Sequence, residues 1–139
     1  MNTQFIIKPD AYKRKDELIE FIRNKGYSIL SVQDFEMTSH IFESIYKGLV
    51  PEPIIIGVYE YLSEDYCVRL KSDISISNLI ELSGTNVDPL LCSEGTIRRE
   101  FGAGRGLSKS GIEVIRNAIH RPKSIEQNEK QIKVLEEFL

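Results

Sequence analysis

Short β-type runs and helix-periodic segments follow one another in this chain in the order strand, helix, strand, strand, helix, strand, and that order restricts the fold more than any other feature. Gln4 to Ile7 is an apolar run stopped by Lys8-Pro9-Asp10, because proline cannot continue ladder pairing. Leu18, Ile19 and Ile22 then recur at helical spacing, Phe21 widens the face, and Gly26 is placed to close the helix. Tyr27 to Phe35 has the β-branched and aromatic density of a strand, and Thr38 to Tyr46 reads as a short helix opened by a Thr or Ser cap. Ile54-Ile55-Ile56-Gly57-Val58-Tyr59 is apolar on both alternating faces and predicts a covered central strand. Ile76, Leu79 and Ile80 predict a second helix ending near Gly84. After a long Gly-, Ser-, Pro- and Arg-rich stretch from Asn86 to Gly111, read as irregular, Val114 to His120 predicts the last strand. Ser124-Ile125-Glu126-Gln127 fits a capping box opening a final helix, with Ile132, Leu135 and Leu139 on its buried stripe. This order suits an α+β, ferredoxin-like α/β sandwich: a four-stranded antiparallel sheet with helices mainly on one face.

At 139 residues the chain is long enough to bury a core without staples, and residues 1–139 read as a single domain. No apolar run reaches the roughly 20 residues of a membrane-spanning helix and no leader pattern opens the chain, so a cytoplasmic protein without membrane contact is expected. Cys67 and Cys92 are too few for a disulfide framework or a zinc site, so no protein-ligated metal is expected. The formal charge is −3, yet Arg98, Arg99, Arg105, Lys109, Arg116, Arg121 and Lys123 crowd one segment against only Glu100 and Glu113. Local positive potential in an acidic chain concentrates small anions such as phosphates, whereas nucleic acid usually requires a basic domain, so no nucleic-acid partner is expected.

The glycine-rich Gly102-Ala103-Gly104-Arg105-Gly106-Leu107-Ser108-Lys109-Ser110 is not a phosphate loop of the Walker type. Such a loop needs Gly immediately before its Lys and again five residues earlier, where this chain has Ser108 and Ala103. A lone histidine is more often a packed residue than a catalyst. His120 gains weight from its surroundings: Phe5-Ile6-Ile7-Lys8-Pro9-Asp10-Ala11 at the start, Gly95-Thr96-Ile97-Arg98 in the loop, and Asn117-Ala118-Ile119-His120 before the last helix.

In that order and on those elements the three segments resemble the signatures of nucleoside diphosphate kinases. The resemblance implies a transferase that is a kinase, with a ferredoxin-like fold. In such a reaction a histidine takes the terminal phosphate of a nucleoside triphosphate such as ATP and hands it to a nucleoside diphosphate, with Mg²⁺ as cofactor. His120 matches the phosphorylated residue. Lys8 and Arg98 match phosphate-binding residues, Thr85 a phosphate-contacting Thr, Asn117 the residue near the sugar hydroxyl, and Tyr46 the active-site Tyr. The resemblance also implies a homo-oligomer.

The chain departs from the family pattern in named places. The segment between Thr38 and Pro53 is shortened, leaving Tyr46 as the alternative remnant of a base-stacking aromatic residue. Leu79 stands where the family has a phosphate-binding Arg. Arg121-Pro122-Lys123-Ser124 follows the histidine, and Gln131 replaces a supporting Glu. These departures keep two other readings open: a nucleotide-binding or regulatory subunit with weakened catalysis, and a kinase of the same mechanism with a non-nucleotide acceptor.

Overall fold

The computed structural model describes residues 2–139. Strand β1 (Thr3–Ile7) runs into a 3₁₀ turn at Pro9–Arg14 and helix α1 (Lys15–Asn24), which Gly26 closes at φ 97°. Strand β2 (Ile29–Phe35) follows, then α2 (Ser39–Tyr46), whose Thr38 side chain accepts the Ile41 N–H as an N-cap. Next come α3 (Ile55–Leu62), β3 (Cys67–Ser72) and α4 (Ile76–Ser83). Helix α5 (Ile97–Phe101) leads to the hairpin strands β4 (Gly104–Leu107) and β5 (Glu113–Arg116), the two-residue strand β6 (Ile119–His120) and helix α6 (Ile125–Phe138).

Four strands form an antiparallel sheet in the order β2-β3-β1-β6, the ferredoxin-like arrangement. Phe5 lies opposite Leu70, and Ile6 opposite His120, so the register of β1 carries the histidine on the edge strand β6. Alternation along β1 sends Phe5 and Ile7 to one face, where they pack with Leu18 and Ile22 of α1, Leu79 of α4 and Ile97 of α5. Ile6 points to the other face, into a cluster with Phe42 and Tyr46 of α2, Tyr61 and Leu62 of α3, Val114 of β5 and Leu135 of α6. The two crossover helices therefore share one face, while α2, α3 and α6 cover the other.

Three expectations are corrected. The run Ile54–Tyr59 is the start of α3 rather than a strand; Pro51-Glu52-Pro53 leads it through a 3₁₀ turn into a helix, and prolines at a first turn favour helical entry. Its apolar residues divide between the second core cluster and the β4–β5 hairpin, while Ile56 is left exposed. A Cβ built on Gly57 would lie 2.7 Å from Ile112 Cγ2 and 3.1 Å from Val114 Cγ1. The central strand is instead Cys67–Ser72, whose Val68 and Leu70 alternate with Arg69 and Lys71 and which pairs with both β1 and β2. The stretch expected to be irregular from Asn86 to Gly111 contains α5 and β4. The glycine-rich part forms a hairpin, anchored where Ser108 Oγ, Ser110 N and Ser110 Oγ all donate to the Glu60 carboxylate.

The expected last strand is also divided. Ala118, at φ 70°, is the one non-glycine residue with positive φ among those described, and it sits in the middle of a three-residue turn closed by Ile119 N–H to Asn117 C=O at 2.8 Å. The final helix opens as read, with Ser124 Oγ accepting the Gln127 N–H and Leu135 buried, but Leu139 is exposed. No helix among the described residues is long and apolar enough to cross a membrane.

Candidate active site

His120 is held by a relay that fixes its proton. Gln131 of α6 is buried, and its Nε2 donates to the Gln4 carbonyl at 2.9 Å. A carbonyl only accepts, so the amide oxygen of Gln131 must face the histidine, where Oε1 lies 2.7 Å from His120 Nε2. His120 Nε2 therefore carries the hydrogen in the neutral ring, and Nδ1 keeps the lone pair. Burial, and then the Lys8 ammonium, push the imidazole down to about 3 against the upward pull of Gln131, with Arg98 and Arg121 adding to the depression. The Tyr46 ring packs on it at 4.8 Å between centroids.

Cations without carboxylate partners surround this ring. Lys8 leaves the end of β1 buried and donates to Asn117 Oδ1 at 2.8 Å, while Asn117 Nδ2 donates to the Val87 carbonyl at 3.1 Å. Desolvation, reinforced by Arg98, lowers the Lys8 ammonium to about 8. Arg98 uses Nη1 to bind the carbonyls of Gly84 and Asn86, and Nη2 that of Ile119, so it clamps the segment that leaves α4 against β6. Burial and the neighbouring Arg121 push Arg98 down to about 10, which leaves it charged at neutral pH. No ion pair among the described residues involves Lys8, Arg98 or Arg121.

These groups open onto a cavity of about 420 Å³. Its polar lining includes Lys8, Tyr46, Arg98, Asn117, His120 and Arg121. Its aliphatic lining comes from Leu49, Val50, Pro51, Ile54 and Val58 of the α2–α3 segment and from Val87, Val114 and Ile115, with the Arg105–Glu113 ion pair beside them. Two buried donors that line this region, Tyr46 Oη and Arg98 Nε, have no partner among the described residues. Buried polar groups are normally satisfied, so both are exceptions in this structure.

Of the residues singled out in the sequence, Lys8, Tyr46, Arg98, Asn117 and His120 converge on this cavity. Thr85 does not: it lies exposed just beyond Gly84, outside the lining. Asp10 was not singled out, although it organises the site. Its Oδ1 accepts the Tyr61 hydroxyl at 2.6 Å, and its Oδ2 accepts the backbone N–H groups of Ala103 and Ala118 at 3.1 Å each. The strained Ala118 turn that aims β6 is thus pinned from the Lys8-Pro9-Asp10 corner. The only sequence signal was that corner itself, whose carboxylate two positions after Lys8 reads equally well as an ordinary turn residue.

A neutral imidazole nitrogen, near cations that form no ion pair among the described residues, is equipped to attack an electrophilic phosphoryl group, and the cations to stabilise the charge around it. The donor set does not suit a resident metal. Among the described residues no group of three or more His, Cys, Asp or Glu could hold one, and the carboxylate in the cavity lining, Glu113, is already bound by Arg105.

Comparison with known proteins places this geometry. The family model for nucleoside diphosphate kinase matches residues 1–137. A nucleoside diphosphate kinase of Desulforamulus reducens is 25% identical over 134 residues, covering 94% of this chain and 83% of that protein. Nucleoside diphosphate kinase 1 of Zea mays is 28% identical over 137 residues, covering 94% and 84%. The orthorhombic crystal structure of the Aquifex aeolicus nucleoside diphosphate kinase superposes with a TM-score of 0.75 at 25% identity, over 96% of this chain and 93% of that one. The apo cubic form of the Encephalitozoon cuniculi enzyme does so with a TM-score of 0.77 at 26% identity, covering 96% and 86%.

Proposed function

This chain belongs to the nucleoside diphosphate kinase family, and from that premise we propose that His120 carries the phosphoryl group its phosphotransfer reaction moves from a nucleoside triphosphate to a nucleoside diphosphate. The observation that carries the proposal is the fixed tautomer of a neutral His120 set among Lys8, Arg98 and Arg121. In the first half-reaction His120 Nδ1 attacks the terminal phosphorus, the bond to the bridging oxygen breaks, and the nucleoside diphosphate leaves with that electron pair. The second half runs the same step backwards onto another diphosphate, so one cavity serves donor and acceptor in turn.

Each neighbour has a task that follows from its contacts. Lys8, held by Asn117, presents its ammonium to the transferring phosphoryl. Tyr46 supports the imidazole face and offers its unpartnered hydroxyl. Arg98 holds the Gly84–Asn86 segment through a terminal nitrogen and brings a positive charge to the cavity. Asn117 ties Lys8 to the Val87 end of the cavity, where the sugar would join the base. The aliphatic lining receives the nucleobase by apolar contact. Magnesium enters as part of the substrate, coordinated by the nucleotide's phosphates. Thr85 would reach the phosphates only if the Gly84–Asn86 segment turned inward, and the homo-oligomer implied by the resemblance is part of the same proposal.

Incubating the protein with γ-labelled ATP and Mg²⁺ tests this reading. One acid-labile phosphate per chain is expected, and none in His120→Ala; a fully labelled His120→Ala protein, or no label on the unaltered chain, would overturn it.

A further inference from the structure

The residue after the histidine is an arginine turned into the same cavity. Arg121 is buried, and Nε donates to Ser83 Oγ, at the C-terminal end of α4, at 3.1 Å. That single bond orients the guanidinium, while its terminal nitrogens donate to no protein acceptor among the described residues. Arg98 differs in this respect, because backbone carbonyls already occupy both of its terminal nitrogens. Building a buried guanidinium beside a second one, with no carboxylate between them, costs free energy unless an anion sits there. A planar fork with free donors is also the geometry that grips phosphate oxygens in pairs.

Resting on the phosphotransfer reading above, we propose that Arg121 is a substrate-binding residue whose guanidinium, steered by Ser83 and working beside Arg98, holds a non-transferred phosphate of the nucleotide. The assignment to a non-transferred phosphate follows from position. Arg121 and Arg98 are both anchored where α4 ends, on Ser83 and Gly84, whereas Lys8 is anchored on Asn117 and Ala118, directly before β6 and His120. The terminal phosphoryl therefore belongs to Lys8 and His120, and Arg121 acts further along the polyphosphate. Such contact is equally strong before and during transfer, so it sets KM and leaves kcat nearly unchanged.

Calorimetric titration of the full chain with ADP and with inorganic pyrophosphate tests this. Arg121→Ala should weaken both by about ten- to a hundredfold and flatten the loss of affinity with salt, a change that mere structural damage would not produce. Arg121→Lys should recover part of the loss, and Ser83→Ala, which removes only the tether, should lose less. Should Arg121→Ala fail to fold, the Lys and Ser83→Ala variants decide in its place. Variants with unaltered affinity and salt dependence, or an unaltered protein that binds no pyrophosphate, would overturn the proposal. Absence of label from the unaltered protein would strike the phosphotransfer reading alone, because pyrophosphate binding is read independently of it.

Discussion

A glutamine beside His120 sets how its imidazole is held. Gln131 is neutral, so it fixes the tautomer of His120 through direction alone, by spending its own N–H on Gln4, and adds no negative charge to draw a proton onto the ring. Gln131→Met keeps the side-chain volume and removes both bonds; phosphoenzyme formation should slow about tenfold, with nitrogen NMR showing His120 as a mixture of tautomers. The titration pattern follows from the same environment. Because His120 is held down to about 3, it stays neutral through mild acid. The Lys8 ammonium, held at about 8, loses its charge as pH rises through that value. In the free protein kcat/KM should therefore be flat from about pH 5 to about pH 7 and fall above about pH 8. A loss of activity as pH drops through about 6.5, the ordinary imidazole range, would contradict the half-buried, cation-flanked ring.

Among the elements, the β4–β5 hairpin and α3 both contribute aliphatic lining to the cavity, and they meet at Gly57. Gly57→Val would push Ile112 and Val114 away; overpacking of this kind costs about 1–3 kcal/mol. Nucleoside triphosphates should lose affinity while tripolyphosphate, which lacks a base, keeps it, as competition binding would show. Helix α3 also shows where local pattern runs out. A run of six residues, five of them apolar, from Ile54 to Tyr59 looks the same whether a strand or a helix is covered on several sides, and only packing against the hairpin separates them. Cys67–Ser72, by contrast, carried a legible alternation of Val68 and Leu70 with Arg69 and Lys71, and its place as the central strand depends on long-range pairing with β1 and β2. The helix caps at Thr38 and Ser124 and the stop at Gly26 were readable because they are local chemistry. Lys8, Asn117 and His120 were readable as a set through their motifs. The roles of Asp10 and Ser83 were not, because each acts on residues 38 to 108 positions away in the chain.

Across the whole molecule, β1 and β6 pair antiparallel and bring the two ends of the chain together, so that Lys8 from the first strand and His120 from the last share one cavity. Helix α6 packs over β1 and supplies Gln131, which makes the carboxy-terminal helix part of the site as well as of the core. A site assembled in this way should act as a shuttle, holding a phosphoryl group on the protein after the donor nucleotide has gone. The most direct test is to label the protein with γ-labelled ATP, remove all nucleotide, and add unlabelled GDP. The label should leave His120 and appear in GTP, about one per labelled chain. Label that stays on the protein, or leaves only as inorganic phosphate, would contradict this account.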